Sequence, residues 1–262
     1  MSVHSHPDPA SRVVLLGASN LKMGFPEILA RLRAGAGPGG NPLEILTALG
    51  HGRSFGLWSR LLGVRQLPGI VDCRLWDDLG RLPPLPTLAL VGDVGNDLLY
   101  GASVPRIAGW VETCLDRLSG HGAEIVLTLL PAASLVKLSA VRYHLVRSIL
   151  FPGRRAASWD AMLDGVRELN ERLRQLGLAH GARLVEPSPS WYGIDPIHVR
   201  RSMRHEAWNR ILQHPRLPHL GHLAGGGRLP LFGAAELRLF GATLRNPQPV
   251  CRFKDGTTVA LY

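Results

Sequence analysis

Residues Arg12–Glu27 read RVVLLGASNLKMGFPE. Val13–Leu16 is a short apolar run, Gly17 ends it, and Phe25, Ile28, Leu29 and Leu32 then recur at i, i+3, i+4 and i+7. A continuous apolar run giving way to a period of 3.6 across one glycine predicts a buried strand, a tight turn and an amphipathic helix. Ser19 lies where the chain leaves the strand. It is either the N-cap of that helix, a position serine favours, or a hydroxyl presented at the sheet edge for chemistry.

The same rhythm continues outward. Apolar runs at Val13–Gly17, Glu44–Leu49, Thr87–Val91, Glu124–Leu129 and Arg183–Val185 read as five buried strands. Ile107, Val111, Cys114 and Leu118 line a second helix, and Met162, Val166, Leu169, Leu173 and Leu176 a third, with Ser158 as its N-cap. Apolar strands alternating with amphipathic helices predict an α/β three-layer sandwich around a central five-stranded parallel sheet. Ligands of such sheets bind at the carboxyl ends of the strands, which is where Ser19 falls. The expected main domain spans residues 12–214, after a disordered tail over 1–11. Within it, residues 131–157 form a long connection carrying Tyr143, His144 and several arginines, a candidate lid. Residues 215–262 read as a small β-rich extension whose last part alternates around Lys254-Asp255-Gly256 as a hairpin, able to pack on the core or on a second subunit of a homo-oligomer.

Composition narrows the classes. With 262 residues, 45% of them hydrophobic, the chain can bury one good core. It has no apolar run of membrane-spanning length and its N-terminus lacks secretory-signal features, so a soluble cytoplasmic protein without a membrane partner is expected. Cys73, Cys114 and Cys251 are few and far apart, which argues for free thiols. The net charge of +10 is almost wholly arginine, scattered rather than interleaved with aromatics, and does not favour nucleic acid as a partner. Neither a phosphate-binding loop nor a dinucleotide fingerprint is present, and Leu21 breaks the Gly-x-Ser-x-Gly pattern at Ser19. The histidines show no metal-ligand spacing with the cysteines or carboxylates, so no metal site is expected.

Two further motifs converge on the sheet edge. GNDLLYG puts Asn96 and Asp97 just beyond the third strand, with a turn-forming pair as the structural alternative. WYGIDPIHVRRS puts Asp195 before Pro196, as the cap of a helix starting there, with His198 three residues on. A carboxylate at this spacing can accept the Nδ1 proton of the imidazole and leave Nε2 free as a base. Serine, base, orienting acid and amide donor are the components of acyl transfer.

Ser19, Gly52, Asn96 and Asp195-Pro196-Ile197-His198 follow the order of the four blocks of the SGNH, or GDSL-type, hydrolase superfamily, which the chain resembles from Arg12 to Gln213. The resemblance implies a flavodoxin-like fold and a serine esterase with no cofactor. Ser19 would be the nucleophile, His198 the base and Asp195 its partner. The backbone N–H groups of Ser19 and Gly52 and the Asn96 amide would hold the oxyanion. Gly50 competes with Gly52 for that place, and Ser54, two residues after Gly52, favours the latter. Ala18 stands where the family often has an acid, and Gly95 directly precedes Asn96 where the family commonly reads Gly-x-Asn-Asp. Asp97, Trp191 and Tyr192 are candidate substrate contacts, the two aromatics also being good packing residues. The substrate implied is a small or carbohydrate-linked ester. Acyl transfer to another hydroxyl uses the same residues, and a non-catalytic binding protein on a degenerate hydrolase fold is the alternative of a different class.

Overall fold

The computed structural model describes residues 9–35, 42–61, 65–136, 158–213, 230 and 233–262. The chain begins with β1 (Ser11–Leu16), α1 (Ser19–Gly35) and β2 (Leu43–Ala48), followed by two short strands, β3 (Ser59–Leu61) and β4 (Arg65–Leu67). Next come α2 (Leu75–Arg81), β5 (Thr87–Val91), α3 (Asn96–Leu99), α4 (Val104–Gly120), β6 (Glu124–Thr128) and α5 (Ala132–Leu135). After them stand α6 (Trp159–Ala179), β7 (Arg183–Val185) and α7 (Arg204–Ile211), then β8 (Glu236–Leu239), β9 (Ala242–Arg245), β10 (Cys251–Arg252) and β11 (Thr258–Leu261).

All five strands expected from the sequence lie in one sheet, in the order β2-β1-β5-β6-β7 and all parallel. That order reverses direction beside β1, so the ends of β1 and β5 open a crevice at the carboxyl edge. Among the described residues the sheet has two strands beyond the expected five, because β11 lies parallel against β2 and β10 pairs antiparallel with β11. The expected hairpin at Lys254–Gly256 is formed, with the Thr257 N–H donating to the Asp255 carboxylate at 2.9 Å. Within the C-terminal β-rich part, β8 and β9 join β3 and β4 in a small antiparallel sheet of order β3-β4-β8-β9. The short runs of β3, β4 and β8 carry too little periodicity to be read as strands from sequence.

Alternation along the strands divides the core into two layers. Val13, Leu15 and Ile45 face Leu21, Phe25, Ile28, Leu29 and Leu32 of α1 and Ala207, Trp208 and Ile211 of α7. Val14, Leu16, Leu46, Ala89 and Val91 face the stripes of α4 and α6, in which Val111, Cys114, Leu115, Leu169 and Leu173 are inaccessible to solvent. Each such side chain stabilises the fold by about 1.5–3 kcal/mol, which makes the expected three-layer sandwich the stable arrangement. Gly24 lets α1 and α7 touch, since a Cβ there would stand 2.0 Å from the Trp208 indole nitrogen. Ser158 caps α6 as expected, accepting the Ala161 N–H at 3.2 Å.

Of the expected N-terminal tail, residues 1–8 lie outside the described residues and Ser11 already belongs to β1. Residues 137–157 of the candidate lid, residue 214, and residues 215–229, 231 and 232 of the extension also lie outside them. Cys73 and Cys114 are buried free thiols and Cys251 is a half-buried one. No described helix is long and apolar enough to cross a membrane.

Candidate active site

Ser19 is the first residue of α1 and only 9% exposed. The Lys22 N–H donates to the Ala18 carbonyl at 2.9 Å, so Ala18 occupies the N-cap position. Alanine has no side-chain oxygen to offer the free N–H groups of the first turn. Asp93 does this from across the crevice, its Oδ2 accepting the N–H of Leu21 at 3.0 Å and of Ala18 at 3.2 Å. The cap comes from another strand end, and the Ser19 hydroxyl is free for a different partner.

That partner is His198. The Ser19 Oγ lies 2.9 Å from Nε2, and Nδ1 lies 2.7 Å from the Asp195 Oδ2. A carboxylate can only accept, so Nδ1 carries the proton and Nε2 is the acceptor for the serine hydroxyl. Burial alone would raise the Asp195 carboxyl. The hydrogen bond from His198, its charge and the N–H groups of Ile197 and His198 outweigh burial and hold the carboxyl below the ordinary carboxylate value. The expected helix at Pro196 does not form. Asp195 Oδ1 accepts the N–H groups of Ile197 at 3.0 Å and His198 at 3.1 Å, closing the turn on the side chain, and α7 begins only at Arg204.

Asn20 fastens the two halves together. Its Nδ2 donates to Asp93 Oδ1 and to the Ile197 carbonyl, both at 2.8 Å, and its Oδ1 accepts the Val199 N–H at 2.8 Å. One amide thus grips the backbone on either side of His198 and the acid that caps the serine turn. Sequence reading missed both residues. The signal for them was present in Ser19-Asn20 after the strand and in the first acid of GDVGND. Asp93 has φ +58°, a left-handed conformation that aspartate tolerates better than most residues and that costs strain the network must offset.

The loop after β2 runs beside the serine. Gly52 has φ +62°, which favours glycine there, and its carbonyl accepts the Tyr100 hydroxyl at 2.7 Å. Asn96 opens α3, faces the cavity at the serine, and donates to the Arg53 carbonyl at 3.3 Å. Asp97, a candidate substrate contact, is instead fully buried beneath this loop. Its carboxylate accepts the Ser54 hydroxyl and, at 2.8 Å, the Phe55 N–H. Burial pushes its pKa up to about 6, against the lowering effect of those two donors. Arg53, also inaccessible, donates to the carbonyls of Tyr262 and, at 3.2 Å, Pro68.

Beyond Ser19 and His198 opens a cavity of about 600 Å³, walled mainly by apolar groups that include Leu98, Leu130, Trp159, Met162, Val166 and Tyr192. Trp191 and Tyr192 line it and are also buried core residues; burial and the Asp93 charge raise the Tyr192 phenol above its ordinary value.

No protein-family profile and no curated protein sequence matches the chain. Solved structures do. The native aryl esterase of M. smegmatis superposes with a TM-score of 0.51 at 13% identity, over 78% of this chain and 96% of that one. A carbohydrate acetylesterase family member from Sinorhizobium meliloti has a TM-score of 0.48 at 14% identity, over 78% and 95%. AlinE4, an SGNH-hydrolase family esterase, has a TM-score of 0.41 at 21% identity, over 82% and 86%. The strand order, the crevice and the likeness to the aryl esterase together give this chain the three-layer α/β fold of that esterase.

Proposed function

We propose that the protein is a carboxylic ester hydrolase that works through an acyl-enzyme on Ser19. The observation that carries this reading is the continuous hydrogen-bonded path from Ser19 through His198 to Asp195. His198 Nε2 takes the Ser19 proton as Oγ attacks the ester carbonyl, and the imidazolium is stabilised by the Asp195 carboxylate. Collapse of the tetrahedral intermediate expels the alcohol, which takes the proton from Nε2. Water, deprotonated by the same nitrogen, then releases the acid. The N–H groups of Ser19 and Gly52 and the Asn96 amide are assigned to the oxyanion, and the apolar cavity to the acyl chain.

The test is rapid-mixing hydrolysis of p-nitrophenyl esters with acyl chains from acetyl to octanoyl. We expect a p-nitrophenolate burst stoichiometric with enzyme for slowly deacylated chains, abolished by Ser19→Ala. Asn96→Ala should lower kcat by about 10²–10³-fold, the loss usual for one oxyanion donor. Turnover that persists in Ser19→Ala would overturn the mechanism.

A further inference from the structure

α3 is a single turn with Tyr100 as its C-cap, and three side chains of this turn reach the loop after β2. Asn96 and Tyr100 are four residues apart, and the Tyr100 N–H donates to the Asn96 carbonyl at 3.1 Å, so both side chains leave one face of the turn. Asn96 Nδ2 donates to the Arg53 carbonyl at 3.3 Å, and the Tyr100 hydroxyl to the Gly52 carbonyl at 2.7 Å. Asp97 accepts from Ser54 and Phe55. Consecutive residues from Gly52 to Phe55 are thus each hydrogen-bonded to this one turn.

The bond to Gly52 acts on the residue with the least restraint of its own. The Arg53 N–H closes a four-residue turn on the Gly50 carbonyl at 3.2 Å, and Gly52, third in that turn, has φ +62°. Glycine rotates about its backbone bonds more freely than any other residue, so an N–H group on glycine keeps its aim only if its surroundings hold it. The Tyr100 hydroxyl does this from the carbonyl side and stands over the α-carbon, where a Cβ on Gly52 would lie 3.4 Å from it. Two of the groups assigned to the oxyanion, the Gly52 N–H and the Asn96 amide, come from different segments of the chain. The Asn96 amide gives one hydrogen to Arg53 and keeps the second for the oxyanion. Tyr100 links Gly52 directly to the turn that bears Asn96.

We infer that Tyr100 is a positioning residue for acyl transfer: its hydroxyl fixes Gly52 against the turn that carries Asn96 and so sets the spacing of two oxyanion donors. This rests on the esterase reading and adds to it a residue that does not line the cavity beside Ser19. Removing the hydroxyl leaves both donors chemically intact but lets one drift from the other. A misplacement of about 1 Å is enough to weaken stabilisation of a developing oxyanion by about tenfold or more.

The experiment compares wild type, Tyr100→Phe, Asn96→Ala and the double variant on p-nitrophenyl hexanoate, with trifluoromethyl hexyl ketone and methyl hexyl ketone as inhibitors. Ser19 Oγ adds to the fluorinated carbonyl, its proton passes to His198, and the former carbonyl oxygen becomes a bound oxyanion. The methyl ketone resists addition and reports ground-state binding. Tyr100→Phe should lower kcat/KM about tenfold, weaken inhibition by the fluorinated ketone by the same factor and leave the methyl ketone unchanged. In the Asn96→Ala background the same substitution should cost less than about threefold, because no second donor remains to be spaced against. Multiplicative losses, equal weakening of both ketones, or an unchanged Tyr100→Phe beside an active wild type overturns the inference while the esterase reading stands. So does a Tyr100→Phe protein that fails to fold, since the hydroxyl then serves the fold and not the donors. Wild type that neither hydrolyses the ester nor binds the fluorinated ketone overturns the esterase reading, and the inference with it.

Discussion

At the residue scale the site turns on two side chains besides Ser19, His198 and Asp195. Asp93 caps α1 from the end of β5 because Ala18 cannot cap it from within, and Asn20 carries the same support across to the loop holding His198. The 2.9 Å contact between Ser19 and His198 joins residues 179 positions apart, and Asn20 ties the backbone next to Ser19 to that on either side of His198. Asn20→Ala should therefore lower kcat by about 10–10²-fold, the usual penalty for a displacement near 1 Å, with KM little changed. It should also cost about 1–3 kcal/mol of stability through the backbone groups left unpaired. Steady-state kinetics with urea denaturation tests this; a variant with wild-type kcat removes Asn20 from the positioning network. That Ser19, Asn96, Asp195 and His198 come together at one edge of the sheet was legible in the sequence, because each follows a strand end or sits at a motif spacing. Asn20 and Asp93 were not, because their task is defined by partners 73 and 177 residues away, a separation that local periodicity does not encode.

At the scale of elements, the loop after β2 is held by α3 from below. Asp97 grips Ser54 and Phe55, and Tyr100 grips the Gly52 carbonyl. The sequence led Asp97 to be read as a substrate contact because Asn96-Asp97 looks like one polar pair, whereas in a helical turn adjacent side chains point in different directions. Its burial has a measurable consequence. A carboxyl whose pKa is raised on folding from 3.8 to about 6 favours the folded state at low pH, and that contribution disappears as pH rises through this window. The loss amounts to about 3 kcal/mol. Wild-type stability should consequently fall relative to Asp97→Asn between pH 4 and pH 7 in urea titrations. Parallel pH curves for the two proteins would show that Asp97 titrates alike folded and unfolded.

At the scale of the molecule, the C-terminal strands are tied to the sheet beside the candidate site. β11 covers the β2 edge, the Tyr262 N–H donates to the Thr47 carbonyl at 2.8 Å, and the Tyr262 carbonyl accepts the buried Arg53 guanidinium next to Gly52. The alternation of β11 made it legible as a strand. Its place beside β2 was not, since pairing across more than 200 residues is a property of the assembled sheet. Ending the chain at Val250 should leave the Arg53 charge without one of its acceptors, a defect of about 3–5 kcal/mol, besides baring the β2 edge, and should yield insoluble protein. Arg33→Ala, which breaks the exposed pair with Asp255, should cost no more than about 1 kcal/mol and leave activity intact. A soluble, cooperatively unfolding truncation would show that the β10–β11 hairpin is dispensable.

All three scales meet in one claim, that Ser19 is an activated nucleophile. The most direct test is reaction of the purified protein with a fluorophosphonate, followed by peptide mass spectrometry, with Ser19→Ala and His198→Ala in parallel. The arrangement predicts stoichiometric phosphonylation of Ser19, absent in Ser19→Ala and strongly slowed in His198→Ala. Folded wild-type protein that stays unmodified, or label that persists in Ser19→Ala, would contradict it.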